Sequence, residues 1–359
     1  MASYPQQDMS DEQLSEFQKL SNEYVPEVTG PLVGERQSST AIVAEYASAD
    51  PVFQAKTEAL PQKYSHYRTV RGDGSCGWRA VAFGYFEALI HHGDPSRFLE
   101  EETRLRSSSN ILNMAGFDPF IYEDFADAMF DLLRDVASAM QAGHAEQTLL
   151  AAFNDESNQA SILTYLKTLT AAWMKTRPQD YAPWLLEQTV EEYCNASVMP
   201  TSAEIENVGL SALKDTFLSP AGITLEVLYL DRSEGSEVNM HRFSPVNHGG
   251  FDVGTVRLLY RPGHYDLLYK LQDLPHAAAS VSTYLQIASQ THREPICAIG
   301  MPDFLTGFAG MSYVSPHQAW PGWQQQLAGG PFRPSAWEFE PDVLQATAQS
   351  PLQTAMFRK

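Results

Sequence analysis

Three residues stand out as able to carry nucleophilic catalysis together: Cys76, His264 and Asp266. Cys76 closes the run Gly72-Asp73-Gly74-Ser75-Cys76, and the apolar stretch that follows reads as a helix through Ile90, so the thiol falls at a helix N-terminus. There the positive end of the peptide dipole favours the thiolate, the nucleophilic form. Amides of a glycine-containing turn entering a helix lack intrahelical acceptors and can face a developing oxyanion, which marks Asp73, Gly74 and Ser75 as the candidate loop. His264 and Asp266 sit at i and i+2 of a predicted strand, so their side chains share a face with Tyr265 opposite. Their Cβ atoms then lie within about 7 Å. At that range the carboxylate can hold the imidazole tautomer that accepts a thiol proton. Taken alone, Cys76 reads better as a buried core cysteine, and the His264–Asp266 pair equally well as an ion pair on a surface hairpin. Spacing does not show that the hairpin meets the cysteine.

The elements that must position these residues follow from pattern. Asp50-Pro51 has the form of a helix N-cap and first residue, with the helix running towards Tyr64. Tyr67–Arg71 reads as a short extended segment leading into the cysteine loop. Phe125, Met129, Leu132, Leu133 and Val136 recur at helical spacing, as do Ile162, Tyr165, Leu166, Leu169 and Trp173. Phe98–Arg106 and Ala203–Phe217 are also predicted helical. The period then switches to two: Ile223, Leu225, Val227 and Tyr229 alternate along a strand, and Val256–Arg261 and Tyr265–Lys270 are two more. Pro262-Gly263 between them suits a type II turn, because Pro fixes φ and Gly accepts a positive one. The expected fold is α+β, a helical lobe packed on a small, mostly antiparallel sheet.

Composition narrows the function classes. The 359 residues include 44 acidic and 24 basic side chains, a formal charge of −20. Such a balance argues against nucleic acid or an anionic membrane as partner, since phosphate binding needs clustered cations. Three cysteines, odd in number and without metal-site spacing, argue against a disulfide framework or structural zinc. The first residues lack a basic n-region and an apolar h-region, and no apolar run approaches the roughly 18 residues of a membrane span. A cytoplasmic, or also nuclear, protein is expected. The three regions expected are an N-terminal arm over 1–35 with a short helix near 10–20, a globular domain over 36–271 and an extension over 272–359. The last holds Trp320, Trp323 and Trp337 and a predicted helix near 280–290.

Gly72 to Gly77 also matches the G-x-G-x-x-G pattern of dinucleotide folds. Those require a second parallel strand about 20 residues on, and here that region is a charged helical run, so no cofactor is expected.

Tyr67-Arg68-x-x-Arg71-x-Asp73-Gly74-Ser75-Cys76-x-x-Arg79-Ala80 resembles the catalytic-cysteine segment of ovarian-tumour (OTU) domain deubiquitinases. Tyr260 to Lys270, YRPGHYDLLYK, resembles the catalytic-histidine strand of their otubain subfamily. Pro31-Leu32-Val33-x-Glu35-Arg36, Ala151-x-Phe153-Asn154-Asp155 and Tyr229-Leu230-Asp231-Arg232-x-Glu234-Gly235 extend the likeness in order over residues 31–270. The resemblance implies a papain-like cysteine isopeptidase acting on ubiquitin and polyubiquitin chains, with a preference for lysine-48 linkage. It implies Cys76 as nucleophile, His264 as general base and then acid, Asp266 as the group orienting it, and loop amides over Asp73–Cys76 as the oxyanion hole, without metal or cofactor. Some otubains instead grip a ubiquitin-conjugating enzyme and block transfer without cleavage, which is the alternative expectation; protease action on another ubiquitin-like modifier is a third. Two departures fall at the site. Ser75 replaces the usual Asn, and Gly77-Trp78 replaces a pair of large aromatics, with Gly77 weakening the helix start by up to about 1 kcal/mol. Leu327-Ala328-Gly329-Gly330 echoes the ubiquitin C-terminus and suggests a pseudosubstrate.

Overall fold

The computed structural model describes residues 29–233, 235–243 and 252–274. The helices expected near 10–20 and 280–290, and Leu327–Gly330, lie outside these residues. Six strands form one sheet: β1 (Gln37–Ser38), β2 (His66–Arg68), β3 (Ile223–Tyr229), β4 (Asn239–Phe243), β5 (Gly254–Arg261) and β6 (His264–Tyr269), in the order β1-β2-β6-β5-β3-β4. Every neighbouring pair is antiparallel except β3 and β5, so the sheet is mostly antiparallel, as predicted, with one parallel pairing that the strand pattern did not reveal. β5 and β6 form the expected hairpin: Gly263 has φ +72, as a type II turn requires. Its register places Arg261 opposite His264 and Leu259 opposite Asp266.

A helix over Cys76–His92 lies on one face of this sheet. It is buried at every residue from Cys76 through Leu89, as a helix apolar on all sides must be. Gly84 lets it approach the Val256 and Leu267 side chains closely. Helices Ser96–Ser107, Pro119–Ala142, Ala145–Asn154 and Glu156–Thr176 surround it. The longest opens on Asp118, whose side chain accepts from Phe120 N, and closes on Gly143 with left-handed φ. Pro119–Ala142 and Glu156–Thr176 are the predicted amphipathic helices and Ser96–Ser107 the predicted charged run, while Ala145–Asn154 was not foreseen. Their apolar stripes merge in one core that includes Phe83, Phe86, Met129, Leu133, Phe153, Ile162 and Leu166. The other face of the sheet is covered too. Helices Thr40–Glu45 and Pro51–Lys63 set Ile42, Phe53 and Leu60 against Tyr67, Leu228, Leu259 and Leu268, and Asp50 caps the second by accepting from Val52 N at 2.9 Å.

Three expectations need correction. The helix predicted over Ala203–Phe217 begins only at Asn207, because Glu206 is extended (φ −86, ψ 168) and takes the N-cap position. β4 carries little apolar alternation and is exposed, so period-two pattern missed it. The packed body also starts before residue 36: Leu32 and Val33 are buried. Asn154 holds Val33 at both backbone groups, accepting from its N–H at 3.1 Å and donating to its carbonyl at 3.0 Å.

A polar anchor ties the central helix to the sheet. Buried Glu87 accepts from Arg68 Nε at 3.2 Å, Arg36 at 3.3 Å and the Tyr269 hydroxyl at 2.6 Å.

Candidate active site

The structure brings the hairpin to the cysteine. Cys76 is the first residue of its helix and is 2% exposed, beside a His264 that is 3% exposed and an Asp266 that is 1% exposed. His264 Nε2 lies 2.9 Å from Asp266 Oδ1, and the Cys76 side chain is close enough to the imidazole to favour its charged form. With Nε2 committed to the carboxylate, Nδ1 is the nitrogen turned to sulfur. Asp266 Oδ1 also accepts from Val70 N at 3.0 Å, and its Oδ2 pairs with Arg261 at 2.8 Å. Arg261 in turn reaches Glu45 at 2.6 Å. Three donors therefore converge on one buried carboxylate and fix its plane.

The charges follow from these contacts. Burial works to raise the Asp266 pKa, but Arg261 and His264 outweigh it and hold the carboxyl below its usual range. Burial likewise opposes the imidazolium, yet Asp266 and Cys76 win and lift His264 to about 9. The group is thus charged at neutrality, ready to give a proton to a leaving amine. A folded-state pKa above the unfolded value stabilises the fold fully below about 6.5, and the contribution is lost as pH rises through about 9. A shift of that size corresponds to about 3 kcal/mol. The unfolding free-energy gap between the chain and its His264→Gln variant should therefore shrink between pH 6.5 and 9.5 in urea titrations; a constant gap would contradict the assignment.

The loop before Cys76 is held on three sides. Arg79 grips Asp73 with two contacts of 3.1 and 2.6 Å, and also bonds the Arg71 carbonyl at 2.9 Å and Gln159 at 3.0 Å. Burial pushes the Asp73 pKa up, but Arg79 more than reverses this and keeps it lowered. Asp73 N–H donates to the Arg71 carbonyl and Ser75 N–H to Asp73 Oδ1, which leaves the Gly74 and Cys76 amides of the expected oxyanion loop. Ser75 does not cap the helix with its side chain; its hydroxyl donates to the Thr201 carbonyl at 2.5 Å. Gly74 has φ +82, and a methyl there would strike the Ser202 carbonyl, so only glycine serves.

Gly77, which looked like a weak helix start, has a packing role: a Cβ would collide with Ile205 and press on the Tyr265 ring. Gly77→Ala is expected to cost about 1–3 kcal/mol through overpacking despite its better helix propensity, a fall readable as a lowered Tm. A gain in Tm would refute it.

Sequence reasoning missed Arg261, Arg79, Glu204 and Lys167. Glu204 is half-buried near His264; burial raises its pKa while the imidazolium opposes the rise. Arg79 and Arg261 lay inside the quoted motifs, so that signal was available. Cys194 is wholly buried against Met174. Among the described residues no group of three or more His, Cys, Asp and Glu side chains is placed to hold a metal.

A cysteine at a buried helix start, with histidine and carboxylate delivered by a sheet hairpin, defines the papain-like class of cysteine peptidase. Residues 26–270 match the sequence profile described as Peptidase C65 Otubain, and the chain belongs to this family. Human ubiquitin thioesterase OTUB1 is 35% identical over 247 residues, covering 68% of this chain and 84% of that protein. The ovarian tumor domain-containing deubiquitinating enzyme 1 of Arabidopsis thaliana is 30% identical over 251 residues, covering 67% and 81%. Among solved structures, a complex of ceOTUB1 with ubiquitin aldehyde and UBC13~Ub superposes with TM-score 0.59 at 27% identity, covering 72% of this chain and 99% of that one. A second, h/ceOTUB1 with ubiquitin aldehyde and UBCH5B~Ub, gives 0.60 at 26%.

Proposed function

We infer that the chain is a thiol-dependent deubiquitinase that hydrolyses isopeptide bonds of ubiquitin chains, and we propose that it favours lysine-48 linkage. The observation that carries this is the Cys76–His264–Asp266 constellation at the helix start, in a chain whose relatives are ubiquitin thioesterases. Cys76, as thiolate, attacks the isopeptide carbonyl. Loop amides at Gly74 and Cys76 stabilise the tetrahedral oxyanion. His264, held by Asp266, gives its proton to the leaving lysine amine, and then takes one from the water that hydrolyses the thioester. No step calls for a metal. The catalytic unit is read as residues 36–271 with the preceding Leu32–Gly34 packed on it, and a reducing compartment, cytosol or nucleus, suits the Cys76 and Cys194 thiols.

The test is intact mass after incubation with ubiquitin bearing a C-terminal thiol-reactive warhead. One added ubiquitin on the wild type and none on Cys76→Ala is expected; no adduct on a folded sample would overturn the reading. Cleavage of all eight diubiquitins then tests the linkage proposal, and warheads on other ubiquitin-like modifiers test the third expectation.

A second reading, docking of a ubiquitin-conjugating enzyme, is favoured by one observation. Met114, Phe120 and Ile121 flank the Gly116 turn and are 78%, 89% and 61% exposed, more apolar surface than an unpartnered turn needs. Inhibition of ubiquitin transfer by the Cys76→Ala protein, lost in Phe120→Ser, would support it.

A further inference from the structure

Lys167 is a buried amine that the mechanism above does not use. It lies on the Glu156–Thr176 helix, 3% exposed, and donates to the Pro200 carbonyl at 2.6 Å and the Thr201 carbonyl at 3.1 Å. Its ammonium stands over the Trp78 ring, 5.4 Å from the centroid, in the first turn of the cysteine helix. The Thr201 carbonyl that it holds is the same one that receives the Ser75 hydroxyl. The next residue, Ser202, is the one whose carbonyl packs against Gly74. Three residues further, Ile205 closes over Gly77. Burial draws the Lys167 pKa down to about 8, with Asp73 pushing it back up and Arg79 adding to the fall, so the amine still carries charge at neutrality.

We propose that Lys167 is a positioning residue for the oxyanion loop: by holding the Pro200 and Thr201 carbonyls it keeps residues 200–202 pressed on Gly74 and Ser75, and thereby sets where the Gly74 and Cys76 amides point. Without the ammonium the Thr201 carbonyl keeps only the Ser75 hydroxyl and the Pro200 carbonyl only the long 3.3 Å bond from Ala203 N–H, and losing a charged donor from both loosens the segment's hold on the helix. Arginine, longer and forked, can meet both carbonyls; methionine fills the same space and meets neither. The proposal rests on the peptidase reading, because only acyl transfer develops an oxyanion for the loop to receive.

That dependence supplies the test. Iodoacetamide alkylates Cys76 by displacing iodide at carbon, a step that forms no oxyanion, whereas turnover of a ubiquitin substrate needs the loop. Lys167→Met should lower kcat about 10–100-fold, within the range lost with an oxyanion donor or less, with KM and the iodoacetamide rate changed less than twofold. Lys167→Arg should recover most of the loss. An unchanged kcat overturns the proposal, and so does alkylation falling in step with turnover, which would mean general damage to the site. If Lys167→Met does not fold, Ser75→Ala breaks the same link from the other side: the same split between turnover and alkylation supports the proposal, and wild-type turnover overturns it. Where both variants fold, their double mutant should lose less than the product of the single losses, because both act through one carbonyl. An inactive wild type would overturn the peptidase reading itself, which separates the two failures.

Discussion

Asp266→Asn is expected to lower kcat on a ubiquitin substrate by about 10²–10⁴ while leaving ubiquitin affinity within twofold. The reason lies in how many donors the carboxylate serves. Val70 N–H and His264 share Oδ1, and Arg261 takes Oδ2. An amide offers one oxygen and one NH2. If the NH2 faces Arg261, two donor groups oppose each other in a buried site, at a cost of several kcal/mol per uncompensated charge. If it turns to His264, it opposes only the neutral Val70 N–H rather than a guanidinium, but it donates to Nε2 and drives the ring proton to Nδ1, the nitrogen that must receive from Cys76. The second arrangement is the cheaper one, and it removes the base. Many cysteine peptidases can work with a neutral orienting group; in this chain Arg261 makes that substitution costly. Stopped-flow or fluorogenic assays on the isosteric variant, with binding measured on its unreactive Cys76→Ala background, check the claim. Activity within threefold of wild type would refute it.

Glu87→Ala should have the largest effect on stability, about 3–5 kcal/mol, the usual loss when one partner of a buried ion pair is removed. Arg68 is 3% exposed and keeps a backbone carbonyl, Gly34 O at 3.0 Å, a distant Glu35 at 3.8 Å and the face of the Phe83 ring, but no close carboxylate. The Tyr269 hydroxyl loses its acceptor as well. At an m-value of about 3 kcal/mol/M the urea midpoint would fall by at least about 1 M. Glu87→Gln keeps one carbonyl oxygen for these donors and should fall between. Equal midpoints for wild type and Glu87→Ala would show that water replaces the carboxylate at little cost.

The site was legible where it depends on local periodicity. Helix entry at Cys76, the same-face pairing of His264 with Asp266 and the turn at Gly263 all follow from neighbours a few residues apart. Their convergence was carried by the family resemblance, because no spacing encodes which strand lies beside which. The parallel β3–β5 pair, the second helical layer and Lys167 escaped for that reason: each is a contact between segments far apart in sequence. The 203–206 segment shows the opposite failure. Its residues favour a helix, yet Glu206 is extended and Ile205 packs over Gly77, so tertiary packing overrides the propensity. Gly77 shows a third kind, a residue judged by its backbone cost when its value is the space it leaves for Ile205.

The place of β6 in the sheet has a consequence for assembly in time. It is the last strand among the described residues yet pairs between β2 and β5, and Asp266 is tied to Val70 across 196 residues. Closing so large a loop is entropically costly and is repaid only once the intervening segments have packed. Helical hairpins can form early from local contacts, but the nucleophile meets its base only when the final hairpin slots into the sheet. Refolding followed by far-ultraviolet ellipticity should therefore run ahead of recovery of thiol reactivity towards the ubiquitin warhead. Chains halted before that insertion carry the cysteine without its partner and stay inert.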